Sequence, residues 1–492
     1  MRNRVYLSCA ILAALSATIP ARAFDDHNEM VKRAREAVTR RDIDVALAHL
    51  ESALRSNPDS PEAFMLLGQI YLDLGRDEEA TRALERAVLL HGEGSGGAGA
   101  GGLMGYALWR QERDHDAIRV LRDVLERDPR RPAVHLLLGR IHLRSGRLDE
   151  AVEEFRHEID LQTGGFGKPG LVESSSPLGA AYEGLGVAAY RNGDDPLAVS
   201  ALVMTDSLEA RFHLGLALMR LDRHPDALAA FDQVLRLDPR HRGALQSLAQ
   251  CAAAMGLEDT RAQAVERLRR LYGEEQSQKE VIARVGSLRS TALRLTAKGD
   301  PGAASDTLRR AADLRPNDLS LLVELGKTQF EAGDAARSEE TFRRILALQP
   351  FHSESHSMLG RIMADGGRMD EAVTILRRAT RLSPLTTAVH IQLAQVYIAM
   401  GRTQDGLEEL GFATRLNPED PLARLNLGLG FERAGALDDA ASALQGAVSL
   451  GIEGPEVHQA LLRIYNRLGD TEGIRRERAI LERIEDGADP SS

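Results

Sequence analysis

Apolar and small residues recur along this chain at intervals that suit helices rather than strands. The pattern is clearest between residues 61 and 94, where such residues stand at positions 4, 7, 8, 11, 15, 20, 24 and 27: Phe64, Leu67, Gly68, Tyr71, Gly75, Ala80, Leu84 and Ala87. Spacings of three, four and seven residues place side chains on one face of an α-helix. The segment therefore predicts two amphipathic helices separated by a turn near position 15.

The same 34-residue pattern recurs through nearly the whole chain, in thirteen units that start at residues 27, 61, 98, 132, 179, 208, 242, 285, 319, 353, 387, 421 and 455. Position 8 is Gly in eight units and Ala in four, and position 32 is Pro in seven. A small residue at position 8 lets the two helices approach closely. Gly at position 15 permits the left-handed conformation that ends a helix, and Pro at position 32 ends the second helix.

These residues resemble the tetratricopeptide repeat, a helix-turn-helix unit of 34 residues. The resemblance implies an all-α fold, a right-handed α-solenoid in which stacked repeats form a superhelix with a concave groove. It covers residues 27–275 as units one to seven and 285–488 as units eight to thirteen. Residues 92–102 are predicted as a Gly-rich flexible joint, 163–178 as an insertion, 276–284 as a spacer or helix extension, and 489–492 as a disordered tail.

The first 23 residues have the composition of a signal peptide. A basic start at Arg2 and Arg4 precedes an apolar stretch from Val5 to Ile19, and Ala21-Arg22-Ala23 has the small-x-small form of a cleavage site. We therefore expect residues 1–23 to be cleaved and the mature protein to be periplasmic or secreted, with no transmembrane span. An uncleaved N-terminal anchor is the alternative.

Charge and composition narrow the class of partner. The chain has 492 residues, 62 basic and 73 acidic, with a formal net charge of −11. This balance disfavours a dedicated nucleic-acid binder, because such proteins neutralise phosphates with an excess of Lys and Arg. We expect partners to be other proteins, with acidic segments or an anionic polysaccharide as candidate ligands, and no nucleic acid.

The sequence contains no arrangement typical of a catalytic or metal site. His352 and His356 are four residues apart but lack the H-E-x-x-H order of a zinc helix, and His356 falls at packing position 4. Position 4 is also His135, His390 and His458, so we expect each of these histidines to have a structural role, packed against its own neighbouring helix. With repeats along nearly the whole chain, the sequence predicts no enzyme activity, no metal and no cofactor.

The resemblance also implies which residues bind a partner, because positions 2, 5, 9, 12 and 13 of the first helix usually face the groove in this family. Here the arginines near those positions are Arg110, Arg140, Arg144, Arg191, Arg220, Arg361, Arg433, Arg463 and Arg467. The aromatic residues nearby are Tyr106, Trp109, Tyr190, Phe212 and Phe330. Two interpretations remain open for the arginines at position 13: favourable placement at a helix C-terminus, or a stripe that binds anionic ligands.

The function that this sequence favours is a non-catalytic protein-interaction scaffold of the periplasm or cell envelope, in assembly, secretion or polysaccharide export. The alternative is a ligand-binding or regulatory subunit whose arginine-lined groove holds an anionic polymer or small molecule. An unrecognised hydrolase is a third and more distant alternative.

Overall fold

The structure of the protein is a computed structural model that describes residues 26–92, 95–164 and 172–485. The expected signal peptide and the expected C-terminal tail lie outside the described residues. Within these ranges the chain is helical, with one isolated β-bridge between Val172 and Thr205. The all-α solenoid expected from the repeat pattern is confirmed.

The chain forms two compact units, Met1–Arg40 with Asp59–Glu280, and Arg41–Pro58 with Val281–Ser492. Helices of the first unit are α1 (Asp26–Thr39), α3 (Pro61–Asp73), α4 (Asp77–His91), α5 (Ser95–Arg110), α6 (Asp114–Arg127), α7 (Val134–Arg144), α8 (Leu148–Thr163), α9 (Pro177–Asn192), α10 (Asp195–Leu202), α11 (Leu208–Arg220), α12 (His224–Leu237) and α13 (Arg242–Ala254). Helix α14 (Glu258–Ala297) contributes to both units.

Helices of the second unit are α2 (Ile43–Ser56), α15 (Pro301–Leu314), α16 (Leu319–Glu331), α17 (Ala335–Leu348), α18 (Ser353–Asp365), α19 (Met369–Leu382), α20 (Thr387–Ala399), α21 (Thr403–Leu416), α22 (Pro421–Ala434), α23 (Leu437–Ser449), α24 (Pro455–Leu468) and α25 (Thr471–Glu485). The boundary at Glu280 falls within the predicted spacer, where the chain is one continuous helix, α14. The membership of α2 in this unit does not follow from the repeat pattern.

Position 8 brings the two helices of a repeat into close contact. A Cβ added to Gly68 would lie 2.4 Å from Leu84, and one added to Gly139 would lie 2.8 Å from Phe155. In both repeats the partner is the apolar side chain at position 24. The small residue at position 8 therefore leaves room for the large residue at position 24, so the two helices of a repeat pack closely at this point.

Position 15 has the same backbone conformation in all thirteen repeats. All ten glycines there, such as Gly75 and Gly401, have positive φ. The three repeats without Gly have Arg41, Glu112 and Asp222 there, with φ of 60°, 61° and 55°. The turn therefore sets the conformation whatever the residue, and these three side chains occupy a region that disfavours them.

From Ser95 onward the Gly-rich segment is helical, so this part of it is not the flexible joint that was expected. Helix α5 begins at Ser95, and Ala98 and Ala100 within it are buried. A Cβ at Gly97 would lie 2.6 Å from the carbonyl oxygen of Gly92, and one at Gly101 would lie 2.7 Å from Val124. The glycines therefore allow close packing, which offsets their low helix propensity.

Candidate partner-binding surface

The first helices of successive repeats, here called A helices, line one wall of each unit. Each A helix contacts the A helix of the next repeat, as along α3, α5, α7, α9, α11 and α13 in the first unit and α18, α20, α22 and α24 in the second. The second helices, here called B helices, pack on the A helix of the following repeat, as α4 does on α5, whereas α2 contacts α19 instead. Direct contact between A helices makes their side the concave one, and this wall is the groove of each unit.

Three of the predicted groove arginines share one pattern of contacts between repeats. Arg110 pairs with Asp77 at 3.1 Å and donates to the carbonyl of Leu72 at 2.9 Å. Arg144 contacts Asp114 and the carbonyl of Trp109 in the same way. Arg220 repeats it with Asp195 at 3.1 Å and the carbonyl of Tyr190 at 2.9 Å. In each case the Arg at position 13 binds the carboxylate at position 17 and the carbonyl oxygen at position 12 of the preceding repeat, an arrangement we call the arginine clamp.

The clamp requires Asp at position 17, and its absence leaves the other position-13 arginines exposed. The repeats before Arg191, Arg433 and Arg467 have Leu148, Thr403 and Leu437 at position 17. Within the described part of the chain these three arginines form no ion pair and remain exposed. The predicted arginine stripe therefore divides into a clamped group and an unpaired group.

The arginines at position 9 differ from one another. Arg463 makes two bonds of 3.0 Å to Glu432 of the preceding repeat. Arg361 lies over the ring of Phe330, 4.5 Å from its centroid, and 3.9 Å from Asp365. Arg140 has no ion pair among the described residues, although Glu183 of the next repeat is near enough to act on its pKa.

Burial perturbs both members of the Arg140 and Glu183 pair. Burial lowers the pKa of Arg140, and the charge of Glu183 acts in the opposite direction. Burial also raises the pKa of Glu183, while a hydrogen bond from Ser207 and the charge of Arg140 oppose that rise. The buried Nε of Arg140 and the buried Nε1 of Trp109 find no acceptor among the described residues. Titratable groups perturbed in this way are more frequent at functional sites.

The aromatic residues predicted for the groove occupy four places. The rings of Tyr106 and Trp109 are 5.6 Å apart, and Arg144 lies 5.4 Å from the Trp109 ring. Tyr190 lies beneath Arg220 at 4.8 Å. Phe212 packs on His241 at 4.6 Å, and Phe330 lies beneath Arg361. Most of these rings therefore support a guanidinium, which leaves their faces partly covered.

The histidines at position 4 pair with Glu at position 23 of the same repeat. Nδ1 of His135, His390 and His458 lies 2.6, 2.8 and 2.7 Å from the carboxylates of Glu154, Glu409 and Glu477. His356 has no such partner, and its Nε2 bonds the carbonyl of Pro350. Among the described residues, no group of three potential metal ligands is present.

A polar cavity in the second unit was not predicted from the sequence. About 400 Å³ of space lies among α2, α19, α20 and α21, lined by residues such as Arg55, Arg381, Tyr397 and Glu409. Arg55 pairs with Glu409 at 2.7 Å, and Glu409 also contacts buried His390. Although burial alone would raise it, the hydrogen bond with His390 and the charge of Arg55 hold the pKa of Glu409 below its ordinary value. Because Arg55 and Glu409 are far apart in sequence, no local pattern could reveal their contact.

Models of the tetratricopeptide repeat family match residues 31–98, 103–165, 208–241, 290–352, 323–385 and 391–455. The chain belongs to the tetratricopeptide repeat family. The matched segments cover more than half of its length, and they include both units.

Solved structures resemble this repeat protein at low identity. MamA from Desulfovibrio magneticus RS-1 is 22% identical, with 34% of this chain and 94% of that chain covered and a TM-score of 0.31. PilF of Pseudomonas aeruginosa is 18% identical over 42% and 95% of the two chains, with a TM-score of 0.37. The Cut9-Hcn1 structure is 14% identical over 91% of each chain, with a TM-score of 0.36. No curated protein matches this chain.

None of the helices within residues 26–92, 95–164 and 172–485 combines the length and the apolar character that a membrane span requires.

Proposed function

We propose that this tetratricopeptide repeat protein is a non-catalytic scaffold of the periplasm or cell envelope that binds extended segments of partner proteins in its grooves. The observation that carries the proposal is the set of groove side chains that packing between repeats does not use. Arg191, Arg433 and Arg467 are exposed on A helices, and so are the apolar side chains of Leu293 and Leu422, which are 72% and 54% exposed.

Exposed apolar and charged groups on one wall suit an extended peptide. Such a ligand presents backbone, apolar and charged groups at short intervals, so several repeats bind it at once. The clamps support the same function in another way. Each of them fixes one A helix on its neighbour, so the wall is held in shape before a partner binds, and less entropy is lost on binding.

The experiment is chemical crosslinking in the native envelope followed by purification of the tagged full-length chain and mass spectrometry. A stoichiometric protein neighbour, crosslinked to residues on the A helices, is the expected result. Crosslinks confined to B helices, or no enriched protein at all, would contradict the proposal. The N-terminal residue of the purified protein tests export, because cleavage before Phe24 is expected.

A second candidate is a ligand-binding subunit for an anionic polysaccharide, which the three unpaired position-13 arginines favour. Guanidinium groups bind carboxylates in a forked geometry that uronate sugars also offer. Release of a glycan, rather than a protein, from the crosslinked and purified chain would support this alternative.

A further inference from the structure

The groove of the first unit contains two buried donors without acceptors. Nε of Arg140 on α7 and Nε1 of Trp109 on α5 are both shielded from solvent, and no acceptor among the described residues lies within hydrogen-bonding distance of either. A buried donor left unpaired costs about 1–3 kcal/mol. Native proteins leave few such groups without a reason, and a binding site is one of the reasons.

Tyr106 connects the two donors. Its side chain is fully buried, its ring lies 5.6 Å from that of Trp109, and its phenol acts on the pKa of Arg140. All three side chains lie at groove positions of two successive repeats, positions 9 and 12 of the third and position 9 of the fourth. The unpaired donors therefore lie in one part of one groove rather than at unrelated places in the fold.

Glu183 does not neutralise Arg140 by direct contact. It lies on the next A helix, α9, close enough to act on the pKa of Arg140, but forms no ion pair with it. Ser207 lies close enough to oppose the rise in the pKa of Glu183, and its hydroxyl accepts from the backbone N–H of Ala210 at 2.8 Å. Because Arg140 forms no ion pair with Glu183, its guanidinium keeps its capacity for another carboxylate.

The charged groups around Arg140 leave its guanidinium without an ion pair among the described residues. The nearest clamp arginine, Arg144, is already paired with Asp114, so it and its carboxylate cancel. Arg191 on α9 has no ion pair in the part of the chain that the structure describes. Glu183 and Glu209 are the acidic groups that act on each other here, and Glu209 lies 3.4 Å from His213. Within the described residues, neither carboxylate forms an ion pair with Arg140 or Arg191.

We infer that Arg140 and Trp109 form a subsite that binds the carboxylate of an acidic side chain in an extended partner peptide. The guanidinium of Arg140 supplies the charge and the Trp109 indole an adjacent N–H. The inference rests on the proposed scaffold function and narrows it to one part of the groove, in repeats three to five, and to one chemical class of ligand.

Trp109 makes the test direct, because it is the only Trp in the chain. The full-length protein is titrated with an acetylated Glu-Ser repeat octapeptide and with the matched Gln-Ser peptide, and Trp emission is measured. We expect a saturable change with the acidic peptide and none with the neutral one. No saturable change with the acidic peptide, or the same response to both, would overturn the inference.

Three variants assign the response to the subsite. Arg140→Gln should weaken binding of the acidic peptide at least tenfold. Glu183→Gln should strengthen its binding severalfold, because this change removes a repelling charge. Arg119→Gln, on the exposed side of α6 where the arginine is 79% exposed, should change the dissociation constant less than twofold. Equal losses in Arg140→Gln and Arg119→Gln would show nonspecific attraction and overturn the subsite. If Arg140→Gln does not fold, Glu183→Gln still tests the subsite, because unchanged or weaker peptide binding in Glu183→Gln also contradicts the inference.

Two further outcomes separate the subsite from the scaffold. A response to oligogalacturonate but not to the acidic peptide would overturn the inference and favour a polysaccharide. A crosslinked protein neighbour that Arg140→Gln retains at full yield would overturn the subsite while leaving the scaffold intact. Absence of any protein neighbour would reject the scaffold whatever the peptides do.

Discussion

The arginine clamp between Arg110 and Asp77 is predicted to couple two repeats energetically. Both side chains are largely shielded, at 25% and 20% exposure, and Arg110 also donates to the carbonyl of Leu72. An ion pair of this intermediate exposure contributes about 1 kcal/mol, between the small value of exposed pairs and the larger cost of breaking buried ones. The charged bond to the carbonyl contributes about 1.5 kcal/mol.

These magnitudes define a double-mutant cycle. Arg110→Met should destabilise the contact by roughly 2–3 kcal/mol, since it removes both bonds but keeps the aliphatic packing. Asp77→Ala should cost about 1–1.5 kcal/mol, including the favourable placement of an acid in the first turn of α4. The coupling energy between the two changes is then about 1 kcal/mol.

The assay is amide hydrogen exchange across α4 and α5 of the full-length protein, because local opening in a repeat array need not follow global unfolding. A coupling of about 1 kcal/mol corresponds to a roughly fivefold difference in exchange rates. Arg191→Met is the matched control, a position-13 arginine without Asp at position 17, and should change exchange less than twofold. Additive effects of Arg110→Met and Asp77→Ala, or an equal effect in the control, would refute the clamp.

The pH dependence gives the cycle a second signature. Burial raises the pKa of Asp77, and Arg110 opposes that rise. Because the pKa of this carboxyl is raised in the folded protein, its favourable contribution to the free energy of unfolding is present at low pH and is lost as pH rises through the folded pKa. Without Arg110 nothing opposes burial, so Arg110→Met should lose less stability at pH 4 than at pH 7. A larger loss at pH 4 would contradict this reasoning.

Three other changes are predicted from the same contacts. Thr403→Asp places an acid at position 17 of the repeat before Arg433 and should stabilise α21 and α22 by about 0.5–1 kcal/mol, measured by hydrogen exchange. If the double variant Thr403→Asp/Arg433→Met is stabilised as much as the single variant, the clamp cannot be transferred to this repeat. Glu409→Gln should lower the free energy of unfolding by roughly 2 kcal/mol at pH 7. In urea denaturation at several pH values, the stability of this variant should also fall less on acidification than that of the unchanged protein. Since the folded pKa of Glu409 is lowered, its stabilisation is present above the unfolded pKa and lost as pH falls through the folded one. Glu112→Gly should raise the thermal midpoint, by relief of about 0.5–1 kcal/mol of left-handed strain at φ 61°; a lowered midpoint would contradict it.

The sequence predicted those parts of the fold that depend on one repeat alone. The pairing of Gly68 with Leu84 and the turn at Gly75 both follow from positions within 34 residues, so a single period reveals them. The prediction of a flexible joint at the Gly-rich start of α5 was wrong. Glycine content indicates a low local helix propensity, but it does not reveal the close approach of Val124 in the packed helix.

The clamps were within reach of the sequence but needed a comparison between adjacent repeats. Asp at position 17 precedes each clamped arginine, whereas Leu148 precedes unpaired Arg191. Reading position 13 alone groups these arginines together, although the residue that decides their role stands in another repeat. The contact of Arg55 with Glu409 is different, because nothing periodic relates residues so far apart in the sequence.

The clamps also explain where a groove of this kind can bind a ligand. A clamped arginine already has its carboxylate and its carbonyl, so a partner would have to replace both bonds before it gained anything. Binding chemistry is therefore expected where the repeat departs from its own pattern. Arg140, which lacks an ion pair although Glu183 is near, and Arg191, whose preceding repeat has Leu148 at position 17, are two such departures in neighbouring repeats. In this array regular positions hold the repeats together, and irregular ones leave charge available to a partner.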